Sequence, residues 1–329
     1  MNKISDRSNS LYLISFLGVA FLSAPLFLES QYYMGTLIMM LVNTAMAVSL
    51  RMVLISGQFH VCHAAFMGIG AYSTALMVKE AGMSFWVAFP AASGITALVG
   101  LIIGSISLRL KGLYFFFVTL CLGEMFRLAI ANGPRILGGY TGITIEPTRA
   151  VEMLGLVKFD LASKTCSYYF LLFLTVVIVT VAYRIDVTRY GKIAKGLKQN
   201  DVLLESLGVG AMYYKLQSFV ICCAVAGLMG SFWSQYFLVV ALEDYGIWAS
   251  IYFLVYNQVG GLGSVAGPIV GAISLTILRE GLRSAQEFEP IVLGVILIVS
   301  FYFIPKGLVS LSEPGLIVVE KVLSIIKRG

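Results

Sequence analysis

The sequence predicts an all-α fold, a polytopic transmembrane helical bundle of about 8 to 10 spans, on three observations. Hydrophobic residues make up 59% of the 329 residues and charged residues only 12%, whereas roughly a quarter of a soluble domain is charged. Mean hydropathy is +0.90. The apolar residues fall into long runs, and the lysines and arginines gather at the ends of those runs, where a membrane protein places them.

Residues 1–10 are polar, with Lys3 and Arg7, and lead into an apolar run over 11–28. That run is long for a secretory leader, and Pro25 directly after Ser23 and Ala24 makes a poor cleavage site, so it reads as a retained first span. Further runs follow at 33–55, 61–79, 85–107, 113–131, 166–184, 215–238, 246–260, 265–282 and 290–304. Most approach the roughly 20 residues that cross a bilayer. The runs at 61–79 and 246–260 are the weakest, and either is short enough for a partial or re-entrant segment.

Counting basic residues on alternate sides sets the orientation. With the N-terminus inside, fourteen of the 23 lysines and arginines lie in the cytoplasm, seven lie outside, and Arg51 and Arg127 fall within spans. This places both termini in the cytoplasm. Arg51 is close enough to the end of its run to snorkel to the surface. The chain thus reads as one transmembrane domain over 1–329, with an external loop at 132–165 and a cytoplasmic region at 185–214. The loop carries Pro134, Pro147 and the glycines of LGGYTGI, suits an ordered cap, and has room for a short helix from Thr148 to Leu156.

The cytoplasmic region is a polar helical island between apolar runs. Lys192, Lys195 and Lys198 recur every three residues, while Ile193, Leu197, Leu203, Leu204 and Leu207 supply apolar contacts. Asp201 is placed to cap a second short helix, and Gly208 to end it with positive φ. Such an element is either an ordinary loop lying at the lipid surface or a mechanical handle for a soluble partner.

Few residues carry chemistry. Glu124 and Arg127 stand three apart within the 113–131 run, on one helical face, and either line a translocation path or pair structurally. The stretch GQFHVCHAAFMGIGAY (57–72) sets Gln58, His60, His63 and Tyr72 among glycines, which suits either a broken helix meeting a solute or close helix packing. Asn43 and Asn257 read as interhelical glue. Gly263, Gly267 and Gly271 follow a small-xxx-small pattern for tight helix crossing, as do Gly100 and Gly104.

The same inventory sets expectations of absence. The five cysteines show no paired spacing, and His60 and His63 have no acidic neighbour in sequence, so no metal site is expected. No set of residues is arranged for catalysis, and nucleic-acid binding is not indicated. No GxxxxGK[ST] loop occurs, so any ATP must be hydrolysed by a partner.

Several stretches together resemble one family, the permease subunits of ABC importers for branched-chain amino acids and related amides. They are GQFHVCHAAFMGIGAY, LRLKGLYFFFVTLCLGEMFRL (108–128), LGGYTGI, GKIAKGLKQNDVLLESLGV, VGGLGSVAGPIVGA and FIPKGL, in the family's order from Gln58 to Leu308. Length and the external insertion are similar to the longer, M-type subunit of each pair. The resemblance implies a multi-pass protein of the bacterial inner membrane, working by alternating access and binding no cofactor itself. It also implies a second permease subunit, two ATPase subunits that use ATP and Mg, and an extracytoplasmic solute-binding protein, with lipid around the spans.

On this resemblance the 191–208 stretch is a coupling region resting on an ATPase, with Lys198 on its basic flank and Asp201, Glu205 and Gly208 at matching acidic, acidic and glycine positions. Leu203 and Leu204 stand where the family usually has alanines. Glu124 and Arg127 match charged family positions. The competing reading is an ion-coupled secondary transporter of small zwitterionic solutes, with Glu124 as coupling carboxylate. A membrane scaffold that moves no solute is a further one.

Overall fold

The computed structural model describes residues 21, 30–147, 151–153, 157–159, 161, 163–283, 288–303 and 307–309. The first expected span, over 11–28, lies almost wholly outside the described residues, as do both termini. Each of the other nine apolar runs becomes one helix, with no end displaced by more than four residues. In chain order they are α1 (Gln31–Leu54), α2 (His63–Lys79), α3 (Phe85–Ser107), α4 (Leu113–Ala131) and α5 (Lys164–Val187). Then come two short helices, α6 (Arg189–Gln199) and α7 (Asp201–Ser206), followed by α8 (Ala211–Phe237), α9 (Ile247–Gly260), α10 (Ala266–Gly281) and α11 (Glu289–Phe303).

Helices α1, α3, α4, α5 and α8 are long and apolar enough to cross a bilayer. Helices are the natural outcome for such runs, because lipid offers no partner to a backbone N–H or C=O and the i to i−4 bond satisfies both within one segment. The most enclosed helix is α1, with 83% of its most apolar 18-residue window buried. It packs against α5, α8, α9 and α10, while α8 also packs along α2 and α3. Small residues make these approaches close. Gly100 and Gly104 on α3 receive Cys223 and Phe219 of α8, and Thr74 on α2 donates a hydrogen bond to Ser231 on α8 at 2.7 Å.

The two weak runs become α2 and α9, only 17 and 14 residues long. Helix α2 starts inside the bundle, at the buried His63, whereas α9 starts at the surface, with Trp248 exposed. The Ala64 amide, one of the first-turn donors that no helix can satisfy internally, donates to Ser250 Oγ on α9 at 2.9 Å. Asn257 holds the other end of α9 by donating to Ala47 O on α1 at 2.9 Å. Asn43 likewise donates to Thr276 Oγ1 on α10 at 3.0 Å, so both asparagines join helices as expected.

Two sequence expectations need correction. Between α4 and α5, Val151–Met153 pairs antiparallel with Val157–Phe159, so the described part of the stretch Thr148–Leu156, where a short helix was expected, is a strand. The β-branched Val151 and Val157 with Phe159 favour a strand, and Gly155 stands between the two segments in sequence. Nearby, Ile143–Thr144 pairs antiparallel with Val239–Val240, tying the same connection to the end of α8. The second correction concerns Gly263, which lies before α10 in open space, where an added Cβ would meet no heavy atom within 4 Å. The crossing is made by Gly260 of α9 with Gly267 and Gly271 of α10, where backbone meets backbone and no Cβ fits.

Candidate functional site

One end of the bundle gathers the connections 55–62, 108–112 and 261–265 around the α6–α7 pair. The joint between α5 and α6 is fixed by Asp186. Its carboxylate accepts from Arg51 of α1 at 3.3 Å and pairs with Lys195 of α6 at 2.8 Å. Arg51 also donates from Nε to Leu262 O, in the α9–α10 connection, at 3.1 Å. Its side chain is only 2% exposed, so it does not snorkel to the surface as its position near the helix end suggested. A buried guanidinium needs both a counter-charge and hydrogen-bond acceptors, and Asp186 with Leu262 supplies them. Sequence reasoning missed this arrangement because 135 residues separate the two charges.

On α6, Ala194 and Leu197 are buried against the bundle while Lys192 and Lys198 face outward. Gly57 adopts φ +84 and sits so close to α6 that a Cβ there would lie 3.2 Å from Lys198 Cα, so the 55–62 connection and α6 are in backbone contact. The cap of α7 is Asn200 rather than Asp201, as its side chain accepts from Leu203 N at 3.0 Å. Asp201 is the first helical residue, and its carboxylate pairs with Lys111 at 2.8 Å and with the nearly buried Lys215 at 3.4 Å. An acidic side chain in a first helical turn is favoured by the helix dipole as well. At the other end Gly208 takes φ +80, its amide bonds Glu205 O, and Val209 N reaches back to Leu204 O. Those two bonds form a Schellman turn. Val202, Leu203, Glu205 and Leu207 are left exposed.

The opposite end holds a cavity of about 510 Å³ between α1, α9, α10 and the 3₁₀ turn Leu242–Tyr245. Its walls carry Glu243, Asp244 and Glu280 beside Arg279 and Arg283, with Met39, Val42, Met67 and Phe253 as apolar lining. Arg283 pairs with Glu280 at 3.3 Å, Tyr32 donates to Glu280, and the Arg279 guanidinium lies 4.2 Å over the Tyr252 ring. A space of this size with both signs of charge and an aliphatic wall can hold a small zwitterion. None of these charged residues stood out in the sequence, since they sit at helix ends where charges are ordinary.

The path residues expected from the sequence are not brought into one place. Gln58 is buried near Lys111, Asp201 and Lys198 at the α6–α7 end. His63 is wholly buried between α1 and α8, and Tyr72 packs edge-on to Phe126 and Tyr245. Glu124 and Arg127 pair with each other at 2.8 Å on a half-exposed face of α4. His60 and His63 are joined by Cys222, a neighbour that their spacing did not reveal.

Comparison with known proteins adds the following. Residues 32–301 match the family described as branched-chain amino acid transport system, permease component. The LivM high-affinity branched-chain amino acid transport system permease protein of Salmonella typhimurium is 28% identical, covering 95% of this chain and 77% of that protein. Its counterpart from Escherichia coli K12 is 29% identical over 80% of this chain, and a probable one from Methanocaldococcus jannaschii 22% identical over 65%, each match spanning 66% of the relative. No solved structure matches.

Two outcomes test the clamp at the α6–α7 end. Asp186→Ala leaves Arg51 buried without its counter-charge and should destabilise the chain by about 3–5 kcal/mol, read as a lower melting temperature in detergent. The Asp201 carboxyl is held below its ordinary value of 3.8, first by the Lys111 hydrogen bond and then by Lys215, against a burial effect of opposite sign. A depressed carboxyl contributes stability above its unfolded value and loses it as pH falls through the folded one. The α7 segment should therefore resist an acid-active protease from pH 8 to pH 5 and open only below about pH 4. Asp201→Asn should remove that pH step.

Proposed function

The chain belongs to the permease-component family of branched-chain amino acid transport systems, and from that premise we propose that it is the membrane-crossing subunit of an ATP-driven importer. It is a multi-pass protein of the bacterial inner membrane. The work of ATP falls to separate ATPase subunits, a second permease completes the path, and a solute-binding protein delivers cargo at the far side. The positive-inside count supports placing α6 and α7 in the cytoplasm, where an ATPase would meet them.

One observation carries this reading. A six-residue helix does not persist alone, yet α7 is pinned by the Asn200 cap, the Lys111–Asp201–Lys215 cluster and the Gly208 turn, while Val202, Leu203 and Leu207 stay exposed. An ordinary surface loop has no need of a rigid apolar knob. Held this way, α7 can be pushed by a partner, and Asp186 with Arg51 passes the displacement to α1 and the α9–α10 connection. The ATPase would favour one arrangement only by contacts that differ between states, which Leu203 and Leu207 are placed to make. The exposed residues of α4, including Leu113, Tyr114, Phe117 and Met125, provide apolar surface of the kind that lipid or a second permease covers.

The cargo that suits the cavity between α1, α9 and α10 is an amino acid with an aliphatic side chain. Its ammonium would face Glu243, Asp244 or Glu280, its carboxylate the arginines, and its side chain the Met39–Val42–Met67 wall.

In vesicles carrying the complete transporter, Glu205→Arg and Gly208→Val should cut ATP-driven uptake at least about tenfold while the subunit still inserts and the ATPases still turn over. Gly208→Val acts through backbone strain, since an L-residue at that φ costs about 1–2 kcal/mol. Unchanged uptake by both variants, or uptake that ignores ATP and follows an ion gradient, would overturn the reading. In the same vesicles Asp244→Asn, at the exposed cavity mouth, should raise the half-saturating cargo concentration about tenfold, the equivalent of one lost charge-assisted hydrogen bond. An unshifted value would move the cargo site elsewhere.

A further inference from the structure

The fold brings Cys222, on α8, against two histidines that stand more than 150 positions earlier in the chain. Cys222 Sγ lies 3.5 Å from His63 Nδ1 and 3.9 Å from His60 Nε2, and the three atoms all lie within 4.8 Å of one another. All three residues are fully buried. Neither the coupling element nor the charged cavity uses any of them.

The hydrogen bonds around His63 fix which nitrogen is free. Its Nε2 lies 3.2 Å from Met46 O and 3.1 Å from Ser49 Oγ. A carbonyl can only accept, so Nε2 carries the proton and donates it to Met46. The lone pair then resides on Nδ1, which faces Cys222. This is how metal-binding imidazoles are commonly oriented, with the second ring N–H held by a backbone carbonyl. The His60 ring is steadied by edge contacts with Phe219 at 5.3 Å and His63 at 5.6 Å between centroids.

The two sulfur–nitrogen distances are those of ligands sharing one ion. With metal–sulfur near 2.3 Å and metal–nitrogen near 2.05 Å, two ligands at a trigonal angle lie about 3.8 Å apart, and the observed sulfur–nitrogen distances bracket that value. Charge selects the ion. Among the described residues no carboxylate is buried, so a divalent cation bound by one thiolate and two neutral imidazoles would leave a net positive charge in a dry interior, which is costly. A monovalent ion with one thiolate is neutral. Thiolate ligands select Cu(I), zinc and iron–sulfur centres, and of these Cu(I) is the monovalent ion.

We propose that His60, His63 and Cys222 form a three-coordinate site for a soft monovalent cation of the Cu(I) type, joining the 55–62 connection and α2 to α8. On loading, the Cys222 thiol gives up its proton to solvent, a sulfur–metal bond forms, and each imidazole lends a lone pair, with no change in oxidation state. Cys62 takes no part, because its Sγ faces the opposite nitrogen of His60, Nδ1, at 3.8 Å. The loaded site braces the start of α2, where the helix begins inside the bundle.

The test is anaerobic titration of the full chain in detergent with Cu(I), against a chromophoric Cu(I) chelator, in a background where the more accessible Cys121 and Cys166 are serine. The expected result is one Cu(I) per chain withheld from the chelator, with X-ray absorption showing two nitrogens and one sulfur. Cys222→Ser should weaken binding by more than the roughly 100-fold that loss of an outer partner costs. Cys62→Ser should leave it unchanged. His60→Phe keeps a ring against Phe219 but offers no lone pair, so it should match Cys222→Ser in lost affinity while melting normally without metal. A chain that yields all Cu(I) to the chelator, or His60→Phe binding as tightly as the parent, would reduce the cluster to thiol–imidazole hydrogen bonds and overturn the proposal.

Discussion

The carboxylate of Asp186 is the point on which this molecule's mechanical continuity rests. It lies in the last turn of α5, one residue before the chain leaves the bundle, and it holds a buried arginine on α1 and a lysine on α6 at once. Because Arg51 also grips Leu262 O, four segments meet through one carboxylate and the two cations paired with it. In an interior of low polarity such a pair is worth little as net stability against an apolar alternative, but it is very directional. Parting the charges would strand the Arg51 guanidinium, only 2% exposed, without a counter-charge or water, so the joint resists opening at that pair.

That rigidity gives the two ends of the bundle a relation. The exposed helix α7 is fixed to its surroundings by Asp201, and α6 is fixed to the bundle by Asp186. The central helix α1 reaches from the Arg51 joint to the charged cavity, which it lines through Met39, Val42 and Asn43. A push delivered at one end therefore has a covalent and ionic route to the other, without passing through loosely packed loops.

The helices were legible in the sequence because the bilayer imposes a length and a polarity on every crossing, and both leave marks that need no knowledge of neighbours. The weak runs at 61–79 and 246–260 became helices too, although only α2 starts inside the bundle, where its Ala64 amide borrows Ser250 of α9. Local turn chemistry was readable at Gly208 and nearly so at the cap, where Asn200 and Asp201 are adjacent candidates and only the direction of the Asn200 side chain decides. What escaped was everything that depends on distant segments. Arg51 looked like a snorkelling residue until Asp186 came to it, and His60 and His63 read as part of a broken or closely packed helix with no metal-ligating neighbour until Cys222 came to them. The pairing of Val151–Met153 with Val157–Phe159 and the exclusion of Gly263 from the α9–α10 crossing likewise turn on pairing and helix boundaries that composition does not encode.

At the α9–α10 crossing, Gly260, Gly267 and Gly271 let two main chains touch with no side chain between them. Surfaces separated by side chains can slip by repacking rotamers; bare peptide planes in contact have no such freedom. The two helices therefore form a single stiff hairpin, and the wall that they give to the charged cavity is a fixed surface rather than one that yields by repacking.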